Sequence, residues 1–306
     1  VYLHYVSRIT IQARLNWRLM GRLALVGLPI AAISFSDYLL RTVDGAIIVA
    51  YYGQEQFGFY SLAMQMATYP FAIPRSAGFV IWPKVLEAYG AADDPRVHHN
   101  KTLLPTIASA AIMPVIGGLA WIALPVLVPL VVPRFEPGIP AAQVLSMGAT
   151  FLSLPISTDP SLVASNAEFL VMGTKLVGAG VSATSIWYLV THQAPLISIS
   201  WAACLGFGIA ALLSLILQLR RSCENGRQTA IEVALAFAPL VWSIGALWAA
   251  HQMVLAVKLR PDQIDGALLT LFAFVVLSSP CLIYGHVRTG FGMQIGNMIR
   301  GRFRHD

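Results

Sequence analysis

Three charged side chains lie close together in a stretch of sequence that otherwise reads as a membrane helix: Asp37, Arg41 and Asp44. Apart from these three and tyrosine, residues 23–52 contain no ionisable side chain. Burying one such charge at the centre of a bilayer costs about 2.5–3.5 kcal/mol on insertion scales. The three groups are therefore expected either to neutralise one another or to serve a function inside the membrane.

The spacing of these residues places them on one face of a helix, because they follow one another at i, i+4 and i+7. One interpretation is a structural triad in which Arg41 bridges the two carboxylates. The other is a face that lines a water-filled cavity. Arg41 would then present its planar guanidinium to an anion such as phosphate, and Asp37 or Asp44 would bind a coupling ion.

Two further cations interrupt apolar stretches. Arg75 lies about eight residues before the predicted cytoplasmic end of its helix, so it either lines the cavity or extends toward the interface. Lys175 lies near the start of its predicted helix, where extension of its long side chain to the interface is the favoured interpretation. Asp159 and Glu168 flank a short turn and are predicted to lie at the interface.

Other patterns that would indicate chemistry are missing from the sequence. It contains neither the HExxH pattern nor a GxxxxGK[ST] phosphate loop. The three cysteines, Cys204, Cys223 and Cys281, are too far apart to suggest a disulfide framework or a metal cluster. We therefore predict no catalytic residue, no metal and no cofactor, and interpret the chain as a non-enzyme.

The composition predicts an all-α integral membrane protein. Hydrophobic residues make up 57% of the 306 positions and charged residues only 11%, whereas soluble domains usually carry about 25% charged residues. A helix needs roughly 20 apolar residues to cross the bilayer. On this basis we predict eight spans, at residues 23–52, 57–83, 102–132, 139–164, 168–191, 195–219, 228–256 and 264–287.

The basic residues predict the orientation of these spans. If the N-terminus is cytoplasmic, the outside loops hold only Arg134, Lys258 and Arg260, and the other loop cations lie inside. This imbalance is what the positive-inside rule expects, so both termini are predicted to be cytoplasmic. The basic flanks are expected to contact anionic membrane lipids, and no nucleic-acid partner is predicted.

A series of short motifs accompanies the charged residues in a characteristic order. They are Asp44-Gly-Ala-Ile-Ile, Gly53-Gln-Glu-Gln-Phe-Gly58-Phe-Tyr60, Tyr69-Pro70-Phe-Ala-Ile-Pro74, Ile81-Trp-Pro83 and, later, Phe135-Glu-Pro-Gly. In this order they resemble the C-terminal lobe of polysaccharide or lipid-linked oligosaccharide flippases in the multidrug/oligosaccharidyl-lipid/polysaccharide exporter superfamily. The resemblance covers about residues 20–220.

This resemblance implies a fold and a domain organisation. It implies a six-helix transporter lobe at 23–220, two additional helices at 221–287, a basic lead-in at 1–22 and a basic tail at 288–306. It also implies that a second, N-terminal lobe precedes Val1 and forms the partner of this one. The location implied is the bacterial cytoplasmic (inner) membrane.

The resemblance also implies an activity. Many members of the family move a polyprenyl-diphosphate-linked oligosaccharide across the membrane by alternating access, and cavity cations are thought to hold its anionic part. The positions that match this substrate-binding role are Arg41, Arg75 and Lys175, with Asp37 and Asp44 as ion-coupling or charge-balancing groups.

Three alternatives are left open by the residues. A cation-coupled antiporter of drugs or small molecules would use Asp37 or Asp44 and need little positive lining. A membrane-embedded transferase would require a buried nucleophile or base cluster. A non-transporting scaffold would tolerate replacement of Asp37 and Arg41 by an uncharged pair.

Overall fold

The computed structural model describes residues 17–72, 74–76, 78, 83, 95–222, 225–257, 259 and 263–289. Within these ranges all regular structure is helical and no strand occurs. The α-helices are α1 (Trp17–Thr68), α2 (Pro95–Val131), α3 (Ile139–Ala164), α4 (Glu168–Thr191), α5 (Leu196–Ser222), α6 (Gly226–Ala256) and α7 (Ile264–Thr289). Short 3-10 turns at Tyr69–Phe71 and Pro133–Gly138 follow α1 and α2.

Seven helical segments of the described chain are long and apolar enough to cross a membrane. The predicted all-α membrane architecture is therefore confirmed. Helices α3 and α4 coincide with the predicted spans 139–164 and 168–191. Several helices continue through internal prolines. Membrane helices tolerate proline in this way.

Helix α1 contains a sharp reversal at Gly53, where the backbone has φ 82° and ψ −177°. Across this point, the Tyr60 hydroxyl donates a 2.6 Å hydrogen bond to Asp44 Oδ2, and the Arg41 guanidinium lies 4.9 Å from the centre of the Phe71 ring. In a straight helix these two pairs would be about 24 Å and about 45 Å apart. The chain therefore folds back, and residues 17–52 and 54–72 form the first and second arms of a helical hairpin.

The hairpin arms correspond to the first two predicted spans. The first arm extends six residues before the predicted start at 23 and ends at the predicted 52. The second arm begins before the predicted start at 57. Most of the predicted stretch beyond residue 72, including its end at 83, lies outside the described residues.

Replacing Gly53 with alanine is expected to lower the free energy of unfolding by about 1–3 kcal/mol, because this φ/ψ combination is essentially restricted to glycine. An added Cβ would meet no atom within 4 Å, so the cost would be conformational. Thermal unfolding in detergent measures it. Gly58→Ala is the matched control, since Gly58 is helical and equally open. Equal stability of the two variants would contradict the requirement for glycine at the reversal.

Five helices, α1 to α5, contribute to the main core, and α2 packs against α3. The first arm packs against α4 and α3, and α5 packs against both α3 and α4. Their shared core contains large buried side chains, among them Leu40, Tyr60, Leu145 and Phe207. Helices α6 and α7 lie outside this group and pack against each other and α2. The predicted domain boundaries at 22, 220 and 287 stay predictions.

Small residues allow α4 and α5 to approach closely. A Cβ added to Gly178 would lie 2.7 Å from the Gly206 carbonyl oxygen, and one added to Gly206 would lie 2.6 Å from Ser182 Cβ. Such contacts between small residues are a common means of packing membrane helices. Because Gly178 lies one turn from Lys175, this close contact holds the lysine-bearing part of α4 in the interior of the bundle.

Candidate functional site

Four charged side chains form a continuous series of ion pairs that joins α1, α4 and α3. Arg41 Nε donates to Asp37 Oδ2 at 2.8 Å. Lys175 Nζ lies 2.9 Å from Asp37 Oδ1 and 2.9 Å from Asp159 Oδ2. This ion-pair chain, Arg41–Asp37–Lys175–Asp159, contains two positive and two negative charges and is formally neutral. Mutual pairing is the general condition under which a protein can bury charges.

Burial differs between the two ends of the ion-pair chain. The side chains of Lys175 and Asp159 are only 5% and 8% exposed, whereas those of Arg41 and Asp37 are 26% and 32% exposed. The end formed by α3 and α4 is therefore enclosed. The end formed by Arg41 and Asp37 of the first arm is partly exposed at the protein surface. This is the end of the ion-pair chain that a ligand can reach.

The favoured interpretation that the Lys175 side chain extends to the membrane interface is wrong, whereas the depth of Asp159 in the membrane stays a prediction. Both residues are buried, and each supplies the other's counter-ion. The length of a lysine side chain and its distance from a helix end suggested that it reaches the interface. They do not reveal that carboxylates from α1 and α3 lie within hydrogen-bonding distance.

The Arg41 guanidinium is held in a defined orientation. Its Nε is bonded to Asp37, and its plane lies near the Phe71 ring of the second arm, a cation–π contact. A guanidinium carries five N–H donors in a rigid fork. Toward the described residues, the terminal Nη1 and Nη2 atoms of Arg41 donate no hydrogen bond, so this edge can donate two parallel hydrogen bonds to an anion.

Asp44 is not part of the ion-pair chain. Its Oδ2 accepts a hydrogen bond from the Tyr60 hydroxyl and its Oδ1 accepts one from the Gly45 backbone N–H, at 2.7 Å. The residue is only 2% exposed. The interpretation in which Arg41 bridges both carboxylates is therefore wrong for Asp44, which instead joins the two arms of the hairpin. Only the folding back of the chain at Gly53 supplies Tyr60.

Arg75 lies beyond the second arm, and its side chain is exposed. It follows Phe71 by four positions, a spacing that places neighbours on one side of a helix, and Phe71 contacts Arg41. The hairpin thus brings Arg75 to the same end of the second arm as Arg41. Both interpretations of Arg75, cavity lining and extension to the interface, stay open.

Two other features lie away from the ion-pair chain. Glu232 forms two hydrogen bonds with Arg288, at 3.1 and 3.0 Å, which tie the start of α6 to the end of α7. Cys204 and Cys281 are buried free thiols, and Cys223 lies outside the described residues. No group of three or more side chains suited to hold a metal ion is found in the described part of the chain.

Sequence reasoning missed the roles of Asp159, Tyr60 and Phe71 in this site. Asp159 was the only one of the three with a usable signal, because a carboxylate within a predicted apolar span needs a partner and Lys175 was the nearest candidate. Tyr60 and Phe71 have no such signal. Aromatic residues are common in membrane helices, and their partners are decided by the reversal at Gly53.

The comparison with known protein families found one match, to the first part of the chain. Residues 1–133 match a family model described as "Polysaccharide biosynthesis protein". This region includes Asp37, Arg41 and Asp44, whereas Asp159 and Lys175 lie beyond it. The comparisons with curated proteins and with solved structures found no match. Over residues 1–133, less than half of its 306 residues, this multi-pass membrane chain is therefore similar to the polysaccharide biosynthesis protein family.

Proposed function

We propose that this chain is part of a flippase that carries a polyprenyl-diphosphate-linked oligosaccharide across the bacterial cytoplasmic membrane by alternating access. In this proposal both ends of the chain are cytoplasmic and Arg41 binds the diphosphate. The observation that carries the proposal is the partly exposed Arg41 guanidinium in a membrane-spanning helix, with its terminal edge open to a ligand.

The exposure of Asp37 and Arg41 supports a cavity next to the first arm. Charged groups near the centre of a membrane almost always face a protein interior or water, since facing lipid costs several kcal/mol. The side chains of Arg41 and Asp37 are each about a quarter to a third exposed. We infer that this face of the first arm lines a water-filled cavity, which a second lobe completes.

The electrostatics of the ion-pair chain favour an anion at Arg41. Asp37 is shared between two cations, since its two oxygens contact Arg41 and Lys175 separately. Its negative charge therefore only partly offsets that of Arg41. Diphosphate oxygens can accept two parallel hydrogen bonds from the terminal edge of the guanidinium, a geometry that lysine cannot supply.

The other predicted substrate-binding residues take different roles in this proposal. Arg75 supplies a second exposed cation near the same end of the hairpin. Lys175 acts on the substrate through Asp37, because its buried ammonium already faces two carboxylates. We therefore treat Lys175 as a positioning residue.

A binding measurement tests this proposal. The probe is a synthetic farnesyl-diphosphate-linked monosaccharide, added to the purified protein in lipid nanodiscs. Arg41→Ala is expected to weaken its binding by at least about tenfold, since hydrogen bonds to charged groups contribute about 1.5–3 kcal/mol. Arg134→Ala is the matched control because Arg134 is exposed and lies outside the hairpin. Equal affinity of the wild-type protein and Arg41→Ala would refute the assignment.

A further inference from the structure

We propose that Tyr38 forms a sugar subsite beside the anion site, and that its ring contacts the sugar attached directly to the diphosphate. This inference rests on the proposed anion site at Arg41 and adds the recognition of a sugar ring. Its basis is an exposed aromatic side chain that lies next to Arg41 on the first arm, near the middle of the membrane.

Tyr38 shares one helix face with Arg41. Ser34, Tyr38 and Arg41 follow one another at i, i+4 and i+7, a spacing that places them on one side of the first arm. Ser34 and Tyr38 are exposed, and Arg41 is partly exposed. These three residues form a polar stripe, which extends from the proposed anion site toward the N-terminal end of the arm.

The depth of Tyr38 in the membrane is unusual for a tyrosine. Tyrosines of membrane proteins are enriched at the two interfaces, whereas Tyr38 lies at the centre of the predicted span 23–52. It is 62% exposed, and its hydroxyl forms no hydrogen bond with the described residues. A hydroxyl that faced lipid at this depth would lose the hydrogen bonds that it makes in water. The side chain is therefore assigned to the water-filled cavity proposed beside Arg41.

The ring of Tyr38 is available to a ligand. Within the described part of the chain it takes part in neither a ring–ring contact nor a cation–π contact, and the Arg41 guanidinium contacts Phe71 instead. The Arg41 side chain extends back to Asp37, the residue directly before Tyr38. The guanidinium and Tyr38 therefore lie at a similar level along the helix.

These groups match the chemistry of a sugar joined to a diphosphate. In such a molecule the sugar ring is attached directly to a phosphate oxygen, so binding of the diphosphate at Arg41 places the ring close to this arginine. Side chains three positions apart on a helix have Cβ atoms about 5–6 Å apart, which is close to the width of one pyranose ring. The C–H face of a pyranose can pack against the aromatic face of Tyr38, and its hydroxyls can exchange hydrogen bonds with the phenol.

Two probes of equal charge test this inference with the protein in nanodiscs. One is the farnesyl-diphosphate-linked monosaccharide used for the proposed function, and the other carries a methyl group in place of the sugar. Both are diphosphate diesters, so they present the same anion to Arg41. The wild-type protein is expected to bind the sugar probe about threefold to tenfold more tightly, since a sugar face would bury roughly 30–50 Å² of apolar surface against the ring.

Three variants assign this preference for the sugar probe to Tyr38. Tyr38→Leu should bind the methyl probe as the wild-type protein does but lose the preference. Tyr38→Phe keeps the ring and should retain most of the preference. Tyr51→Leu is the matched control, because Tyr51 is a tyrosine of the same arm that is 55% exposed but lies about 20 Å from Tyr38 along the helix. It should keep the full preference.

The contrary results separate this inference from the proposed function. Equal binding of the two probes by the wild-type protein would overturn the sugar subsite and leave the anion site standing. The same conclusion would follow if Tyr38→Leu kept the preference, or if it bound both probes equally less well than the wild-type protein does. Loss of the preference in Tyr38→Phe or in Tyr51→Leu would overturn the contact with the Tyr38 ring. Absence of binding of both probes to the wild-type protein would overturn the anion site and the sugar subsite together.

Discussion

Replacement of Lys175 by methionine is expected to destabilise the protein by about 3–5 kcal/mol, the usual cost of removing one partner from a buried ion pair. Methionine retains much of the length of the side chain but leaves Asp159 buried without a counter-ion. Asp37 would keep Arg41 as its partner. The variant should therefore show a large loss of thermal stability in nanodiscs and a reduced yield of folded protein.

The double variant Lys175→Met with Asp159→Asn provides the control for this prediction. It removes both buried charges at the enclosed end of the ion-pair chain and leaves the Arg41–Asp37 pair intact. Most of the lost stability should return, because replacing a whole buried pair is often close to neutral. A single variant as stable as the wild-type protein, or a double variant no better than the single one, would show that the pair does not hold these helices together.

Replacement of Arg41 by alanine is expected to abolish export of surface polysaccharide while the protein is still expressed and inserted. Folding should survive because Asp37 keeps Lys175 as its counter-ion. Arg41→Lys keeps the charge but loses the planar fork, so it should retain only part of the export. The measurement is the amount of surface polysaccharide in cells that depend on this protein, normalised to the amount of protein in the membrane.

Control variants show whether a loss of export is specific to Arg41 or follows the removal of any arginine. Arg134→Ala should export as the wild-type protein does. If export persisted when Arg41 and Arg75 were both replaced by alanine, a cavity role for these arginines would be wrong. Normal export in Arg41→Ala together with loss of transport in Asp44→Asn would instead favour the cation-coupled antiporter, in which a carboxylate carries the function.

Much of the helical architecture was predictable from local sequence. The long apolar runs predicted α3 and α4 to the residue, because a bilayer requires a helix of a certain length and the polar turns between these runs are short. The same reasoning located Asp37 and Arg41 on one helix face, since the i, i+4 relation is a property of the helix itself. Their direct ion pair is confirmed.

The partners of the charged groups could not be predicted in this way. Lys175 meets Asp37 from a helix far away in sequence, and it is buried there because Gly178 and Gly206 allow α4 to pack closely on α5. Asp44 pairs with Tyr60 because the chain reverses at Gly53. Each of these contacts depends on the position of a second helix, which the pattern of a single helix does not specify.

The sequence by itself determined that this is a multi-pass helical membrane protein with costly charges in its first helix, because hydropathy and helix periodicity are local properties. Only the tertiary structure decided how those charges are neutralised. It joined Arg41, Asp37, Lys175 and Asp159 into one neutral chain, enclosed the lysine end and left the Arg41 end open. Electrostatic pairing acts between side chains that folding brings together, so their roles emerge only when the helices are packed.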